Sequence, residues 1–83
     1  MFGDKPRDPL ARELVKCLMR MHVRAGDGMP AHVILPRFCG VLRPVTDYEA
    51  AVREAEQLGW LTTRVGKQWL ALTDAGVAAA RDR

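Results

Sequence analysis

Apolar residues near the start of the chain recur at the spacing of a helix. Five of them share one face: Leu10, Leu14, Cys17, Leu18 and Met21. This period predicts an amphipathic helix. Asp8 suits the N-cap and Pro9 the first helical position. The glycines at positions 26 and 28 predict that the helix ends near Arg24.

A second apolar flank runs along the same helix. It consists of four residues: Ala11, Val15, Met19 and His22. A helix that is apolar over so wide an arc usually touches two neighbours. We therefore expect this flank to pack against the C-terminal helix or to form an oligomer or partner interface. Four bases form a ladder on the other side: Arg12, Lys16, Arg20 and Arg24. Such a ladder is typical of a solvated helix face.

The next segment combines a glycine-rich turn with a short apolar run. Residues 31–35 follow that turn and predict a short edge strand. Pro36 suits the first position of a second helix, which would end before Pro44 because the residue preceding a proline avoids helical geometry. This helix would direct three apolar side chains inward: Phe38, Val41 and Leu42.

A third helix is predicted from a capping box at Thr46 and Glu49. Val45 and Ala50 are spaced as a hydrophobic staple around that cap. Five residues form the inward face: Tyr48, Ala51, Val52, Ala55 and Leu58. Gly59 directly follows and predicts the end of the helix.

Two short strands and a last helix complete the pattern. Residues 60–64 and 68–72 flank a glycine at position 66, which predicts a β-hairpin. With a two-residue turn, alternation places four side chains on the core face: Leu61, Thr63, Leu70 and Leu72. The opposite face carries Thr62, Arg64, Lys67, Trp69 and Ala71. Thr73 is the predicted N-cap of a helix from Asp74 to about Arg81.

This order of elements resembles the winged helix-turn-helix family of small bacterial DNA-binding regulators. Three stretches carry the resemblance: Leu35-Pro36-Arg37-Phe38, Leu58-Gly59-Trp60-Leu61 and Leu72-Thr73-Asp74-Ala75-Gly76. The resemblance covers residues 8–81. It implies an α+β, mostly helical fold, with a three-helix core, a two-stranded wing and a C-terminal helix. Residues 1–7 would be a flexible lead-in and residues 8–83 a single winged-helix domain.

The resemblance also implies binding of double-stranded DNA, with the third helix in the major groove and the wing on a neighbouring backbone or minor groove. Residue by residue, eight positions become candidates for DNA contact: Arg37, Arg43, Thr46, Glu49, Arg53, Gln57, Arg64 and Lys67. Arg53 and Gln57 would read bases. The basic side chains before the third helix (Arg37 and Arg43) and those at the wing tip (Arg64 and Lys67) would bind phosphates on either side of that helix.

The charge distribution opposes part of this expectation. The chain of 83 residues has a net charge of +3, yet residues 46–59 hold four acids and one base. Acidic side chains in the first turn of a helix stabilise the helix by interacting favourably with its dipole, but they repel phosphate groups. Either Glu49 accepts a hydrogen bond from a cytosine amino group, or this is a solvated helix without a DNA role. The alternative function is therefore a winged helix that binds a protein partner.

Trp69 is the candidate for such a partner surface. An outward tryptophan serves a partner interface, stacks on a nucleic-acid base or joins a surface cluster under the C-terminal helix. These three interpretations stay open from the sequence, and Trp69 joins the second apolar flank as a candidate interface residue.

Length and composition limit the remaining functions. A chain of 83 residues allows one small domain. Because operator sites are commonly palindromic and match the two-fold symmetry of a protein dimer, we expect a homodimer. The chain contains no serine, no nucleophile elbow and no phosphate loop, so we expect neither an enzyme nor a cofactor. Two cysteines without paired metal-ligand spacing predict free thiols. No apolar leader or membrane span is evident, so we expect a cytoplasmic transcriptional regulator.

Overall fold

Seven elements follow one another along residues 9–81, the part of the chain that the computed structural model describes. They are α1 (Pro9–Arg20), β1 (Gly28–Pro30), α2 (Ala31–Cys39), α3 (Val45–Gln57), β2 (Leu61–Arg64), β3 (Trp69–Leu72) and α4 (Asp74–Arg81). The strands form an antiparallel sheet in the order β1-β3-β2. The predicted α+β, mostly helical class is confirmed. The predicted lead-in over residues 1–7 and the Asp8 cap lie outside the described residues.

Both apolar sides of α1 are buried inside the chain. Leu14 and Leu18 on one side, and Ala11 and Val15 on the other, have no exposed surface. The helix packs mainly against α3 and α4. Each fully buried leucine contributes about 1.5–3 kcal/mol. The wide apolar arc therefore belongs to the core of one chain, which is the first of the two expectations for it.

The first helix ends at Arg20, four residues earlier than predicted. His22 has a left-handed backbone with φ of 68°. Its N–H bonds the carbonyl of Met19, and the N–H of Val23 bonds the carbonyl of Leu18, both at 3.0 Å. This is the Schellman pattern that closes a helix. The prediction was wrong because histidine here occupies the position where glycine is the usual signal.

The segment after α1 also differs from prediction. The edge strand is β1 rather than residues 31–35, which form the first turns of α2. Gly28 permits this strand, because a Cβ there would lie 2.5 Å from the Trp69 indole Nε1 across the sheet. Pro30 is extended, with φ −63° and ψ 140°, and directly precedes the helix. The β-branched composition of residues 31–35 suggested a strand, but pairing of β1 with β3 decides the boundary.

The second helix ends earlier than predicted as well. Phe38 is buried, but Val41 and Leu42 are 98% and 95% exposed in the turn between α2 and α3. Their predicted inward orientation is wrong because α2 ends at Cys39, and Gly40 at φ 60° turns the chain away.

The third helix begins at Val45, two residues earlier than the predicted cap at Thr46 implies. Pro44 is its N-cap and no side chain caps it, so the capping box of Thr46 and Glu49 does not form and Val45 is 52% exposed. The predicted end is confirmed. Gly59 has φ of 76°, and Trp60 N–H bonds the Ala55 carbonyl at 2.9 Å in the closing pattern seen after α1. Four residues of the predicted inward face are buried: Tyr48, Ala51, Val52 and Ala55.

The hairpin of β2 and β3 has the predicted faces. Leu61 pairs with Leu72 and Thr63 with Leu70, and the three leucines are buried. The strands end at Arg64 and Trp69, so the turn spans residues 65–68 rather than two residues. Because β3 lies between β1 and β2, the hairpin is anchored to the strand that precedes α2.

A threonine joins the end of α3 to the start of α4. The Thr73 hydroxyl accepts a hydrogen bond from Gly76 N–H at 3.0 Å and donates one to the Gly59 carbonyl at 2.7 Å. The predicted N-cap is therefore confirmed, and the same side chain fixes the angle between the two helices. Within residues 9–81, no helix has the length and apolar character needed to cross a bilayer.

Candidate nucleic-acid interface

One exposed face of α3 brings together four predicted site residues. We call it the α3 stripe, and it consists of Thr46, Glu49, Arg53 and Gln57, all exposed. Steps of three and four place them along one side of the helix, away from the buried face on the core. Glu49 and Arg53 give the stripe one acid and one base. The sequence therefore predicted the exposed face of this helix correctly, although not its cap.

The other acids of α3 are half-buried, and one of them is paired with the hairpin. Glu56 accepts a hydrogen bond from the Thr63 hydroxyl at 2.7 Å and lies 3.5 Å from the ammonium group of Lys67. Asp47 and Glu54 are half-buried, and one Glu54 carboxylate oxygen is fully covered. The acidity of residues 46–59 is therefore not the charge that the α3 stripe presents to solvent.

Glu56 fixes the hairpin beside α3. Its two contacts reach β2 at Thr63 and the turn at Lys67. A cleft of about 370 Å³ remains between the two elements, and Glu49, Arg53 and Lys67 line it. Sequence analysis missed this role of Glu56, since no local pattern signals a contact between a helix and a later strand.

The predicted phosphate-binding bases fall into two groups. Arg37, Arg53 and Arg64 are exposed and have no acidic partner among residues 9–81. Arg43 pairs with Glu13 at 2.6 Å and lies over the Phe38 ring at 4.7 Å. Lys67 pairs with Glu56. An exposed ion pair is worth about 0–1 kcal/mol, so another anion can compete for Lys67, whereas Arg43 is also held by its contact with the Phe38 ring.

The predicted interface on α1 is buried at two of its four residues. Ala11 and Val15 are fully buried, Met19 is half-buried, and His22 is exposed beyond the end of the helix. Ala11 and Val15 are therefore corrected as contact residues, because α3 and α4 cover α1 there. A contact through Met19 and His22 stays a prediction.

Trp69 stands over β1. Its indole nitrogen approaches Gly28, and the side chain is 37% exposed. Together with Pro30, Leu35 and Val65 it lines an apolar groove of about 650 Å³ between α2 and the hairpin. The structure thus places Trp69 at an open groove next to α2.

Tyr48 lies where this groove meets the cleft beside α3. Its hydroxyl is buried, with no hydrogen-bond partner among the described residues. Burial, with a further contribution from Cys39, raises the pKa of Tyr48 to about 12. Burial also raises the pKa of the Cys17 thiol, an effect that Arg20 and Arg37 partly offset. Both groups therefore stay protonated at neutral pH.

Across residues 9–81, no three His, Cys, Asp or Glu side chains group in a way that could hold a metal ion. Both cysteines are free thiols. The sequence matches no protein-family model. Comparisons with curated proteins and with solved structures likewise find no significant match.

Proposed function

We propose that this chain is a winged helix-turn-helix protein of the cytoplasm that binds double-stranded DNA and regulates transcription. The observation that carries the proposal is the α3 stripe, which is exposed, nearly neutral and flanked by a hairpin bearing Arg64 and Lys67. The order of helices and the sheet order β1-β3-β2 support the fold part of the proposal. In this reading α3 is the recognition helix and the hairpin is the wing.

The α3 stripe carries the side-chain types that read base edges. Arg53 suits the O6 and N7 acceptors of guanine, and Gln57 suits the N6 and N7 groups of adenine. Glu49 would accept a hydrogen bond from a cytosine amino group. An α-helix with its side chains is about 10–12 Å in diameter, so α3, with its 13 residues, can lie in a major groove about 12 Å wide.

The wing supplies the phosphate contacts. Arg64 lies at the end of β2 and Lys67 in the turn, so both can meet a backbone next to the groove that α3 enters. Glu56 holds the wing at a fixed distance from α3 through Thr63 and Lys67. Placement of this kind favours binding, since less freedom is lost on association.

The salt dependence of binding to a random duplex tests this function. Three phosphates neutralised by Arg37, Arg64 and Lys67 should together contribute about −3 to the slope of log affinity against log salt. Arg64→Ala combined with Lys67→Ala should flatten the slope by about two. The control is Arg24→Ala with Arg81→Ala, which removes the same charge from exposed positions outside α3 and the hairpin. Absence of wild-type binding at low salt, or equal losses in the two pairs, would contradict the proposal.

A second candidate function is docking of a protein partner in the apolar groove beside Trp69. The observation that favours it is the combination of that groove with the ion pairs that occupy Arg43 and Lys67. Trp69→Ala separates the two functions. It should leave the salt slope unchanged if DNA binding uses α3 and the wing.

The homodimer belongs to the same proposal, because a DNA site with two-fold symmetry is matched by two copies of the DNA-binding chain. Its contact surface must lie outside Ala11 and Val15, which are buried in the core. Sedimentation equilibrium with and without a palindromic duplex measures the oligomeric state of the protein directly.

A further inference from the structure

A pocket of about 480 Å³ between α1 and α2 collects basic side chains from three segments. We call it the basic pocket. Four bases and one acid line it: Lys16, Arg20, Arg37, Arg43 and Glu13. Lys16 and Arg20 come from the ladder on α1, Arg37 from the last turn of α2, and Arg43 from the turn before α3. The ladder is therefore not a uniform solvated face.

The remaining two bases of the ladder lie elsewhere. Arg12 bonds the Ala79 carbonyl at 2.9 Å and lies over the Trp60 ring at 5.1 Å. Arg24 lies beyond the end of α1 and does not line the basic pocket. Arg12 thus serves another contact, Arg24 lies outside the pocket, and Lys16 and Arg20 are the two ladder residues that line it.

The charge of the basic pocket is largely uncompensated. Glu13 pairs with Arg43, whereas Lys16, Arg20 and Arg37 have no acidic partner among residues 9–81. Like charges around one cavity repel each other, and a bound anion relieves that repulsion. Arg20 and Arg37 both lower the pKa of the Cys17 thiol at the pocket wall electrostatically, so both guanidinium groups lie near that thiol.

We propose that the basic pocket binds phosphates of a nucleic-acid backbone, so that the DNA contact extends from α3 along α1. This inference rests on the proposed function. Arg43 is three residues before Thr46, so the pocket and the α3 stripe are within about 11 Å along the chain. A DNA strand that passes the start of α3 would therefore bring its phosphates to Arg37 and Arg20. The planar guanidinium donors match phosphate oxygens.

The binding experiment uses the full chain and a random duplex. Lys16→Gln combined with Arg20→Gln should flatten the log–log salt slope by about two and weaken binding about 50-fold at 0.1 M salt. Arg24→Gln with Arg81→Gln is the matched control, equal in charge and outside the pocket, and should leave the slope unchanged. All four positions lie at the protein surface, so thermal unfolding should report a folded protein for both variants.

A variant of opposite sign completes the test. Glu13→Gln removes the one acid of the basic pocket and releases Arg43, so binding should tighten and the slope should steepen by about one. If wild type does not bind the duplex at low salt, the proposed function itself fails. If wild type binds and the pocket variant matches its control, only the pocket inference is overturned. In that case the exposed Val41 and Leu42 beside the pocket would favour an acidic protein segment as the occupant.

Discussion

At the scale of single residues, Tyr48 combines a buried hydroxyl with the absence of a hydrogen-bond partner among the described residues. Its ring still contributes to the core, where it meets Phe38 edge-on with 6.1 Å between centroids. A buried polar group without a partner is destabilising by about 1–3 kcal/mol. The tyrosine therefore stabilises the protein through its ring and opposes stability through its oxygen.

Replacing Tyr48 with Phe should raise the free energy of unfolding by about 1 kcal/mol at pH 7. The folded pKa of about 12 lies above the ordinary value of about 10, so the folded state holds this proton more tightly. Wild-type stability is then fully present below about pH 10 and falls as the pH rises toward 12. Urea unfolding at pH 7 and pH 11 should show a smaller alkaline loss for Tyr48→Phe. A variant less stable than wild type at pH 7 would mean that the hydroxyl has a partner in solution.

At the scale of elements, two helices end in the same hydrogen-bond pattern with different residues. Gly59 follows α3 and His22 follows α1, both with positive φ. A side chain in this conformation is strained by about 1 kcal/mol or more relative to glycine. The end of α1 is therefore less stable than it could be, although Val23 behind it is buried.

His22→Gly should raise the free energy of unfolding by about 1 kcal/mol, since relief of strain exceeds the added chain entropy of glycine. Arg24→Gly is the control, because Arg24 is exposed and its φ is not positive. At position 24 there is no strain to relieve, so the added chain entropy of glycine acts alone and the free energy of unfolding should fall. Thermal unfolding of both variants measures this difference in stability. A loss of stability in both variants would show that the His22 side chain makes a contact that stabilises the protein by more than the backbone strain destabilises it.

Elements set by nearby residues were predictable, and those set by distant pairing were not. The buried face of α3, the two faces of the hairpin and the Thr73 cap follow from local period and capping chemistry. The boundary between β1 and α2 depends on Trp69, about 40 residues later in the chain. The same holds for the site. The α3 stripe was predictable from helix period, whereas the pair of Arg43 with Glu13 joins residues with no local relation.

At the scale of the whole molecule, the two valines Val15 and Val41 test where the core ends. Val15 is fully buried in α1 and Val41 is 98% exposed in the turn after α2. Val15→Glu would place an unpaired charge in the core and should unfold the chain. Val41→Glu makes the same chemical change in solvent and should shift the free energy of unfolding by less than about 0.5 kcal/mol. Circular dichroism and sedimentation distinguish the outcomes. A folded monomer from Val15→Glu would instead show that this flank joins two copies.

The contact of α1 with α4 has a consequence for the synthesis of this protein. Arg12 and Ala79, which it joins, are 67 residues apart in sequence, and ribosomes add about 5–20 residues per second. The apolar arc of α1 is therefore without its final cover for about 3–13 s after that helix has been made. During this time α3 can already cover one apolar side of α1, but the side that packs against α4 lacks its cover. Completion of the core then waits for α4, and a ribosome that stalls before α4 would leave that side of α1 exposed.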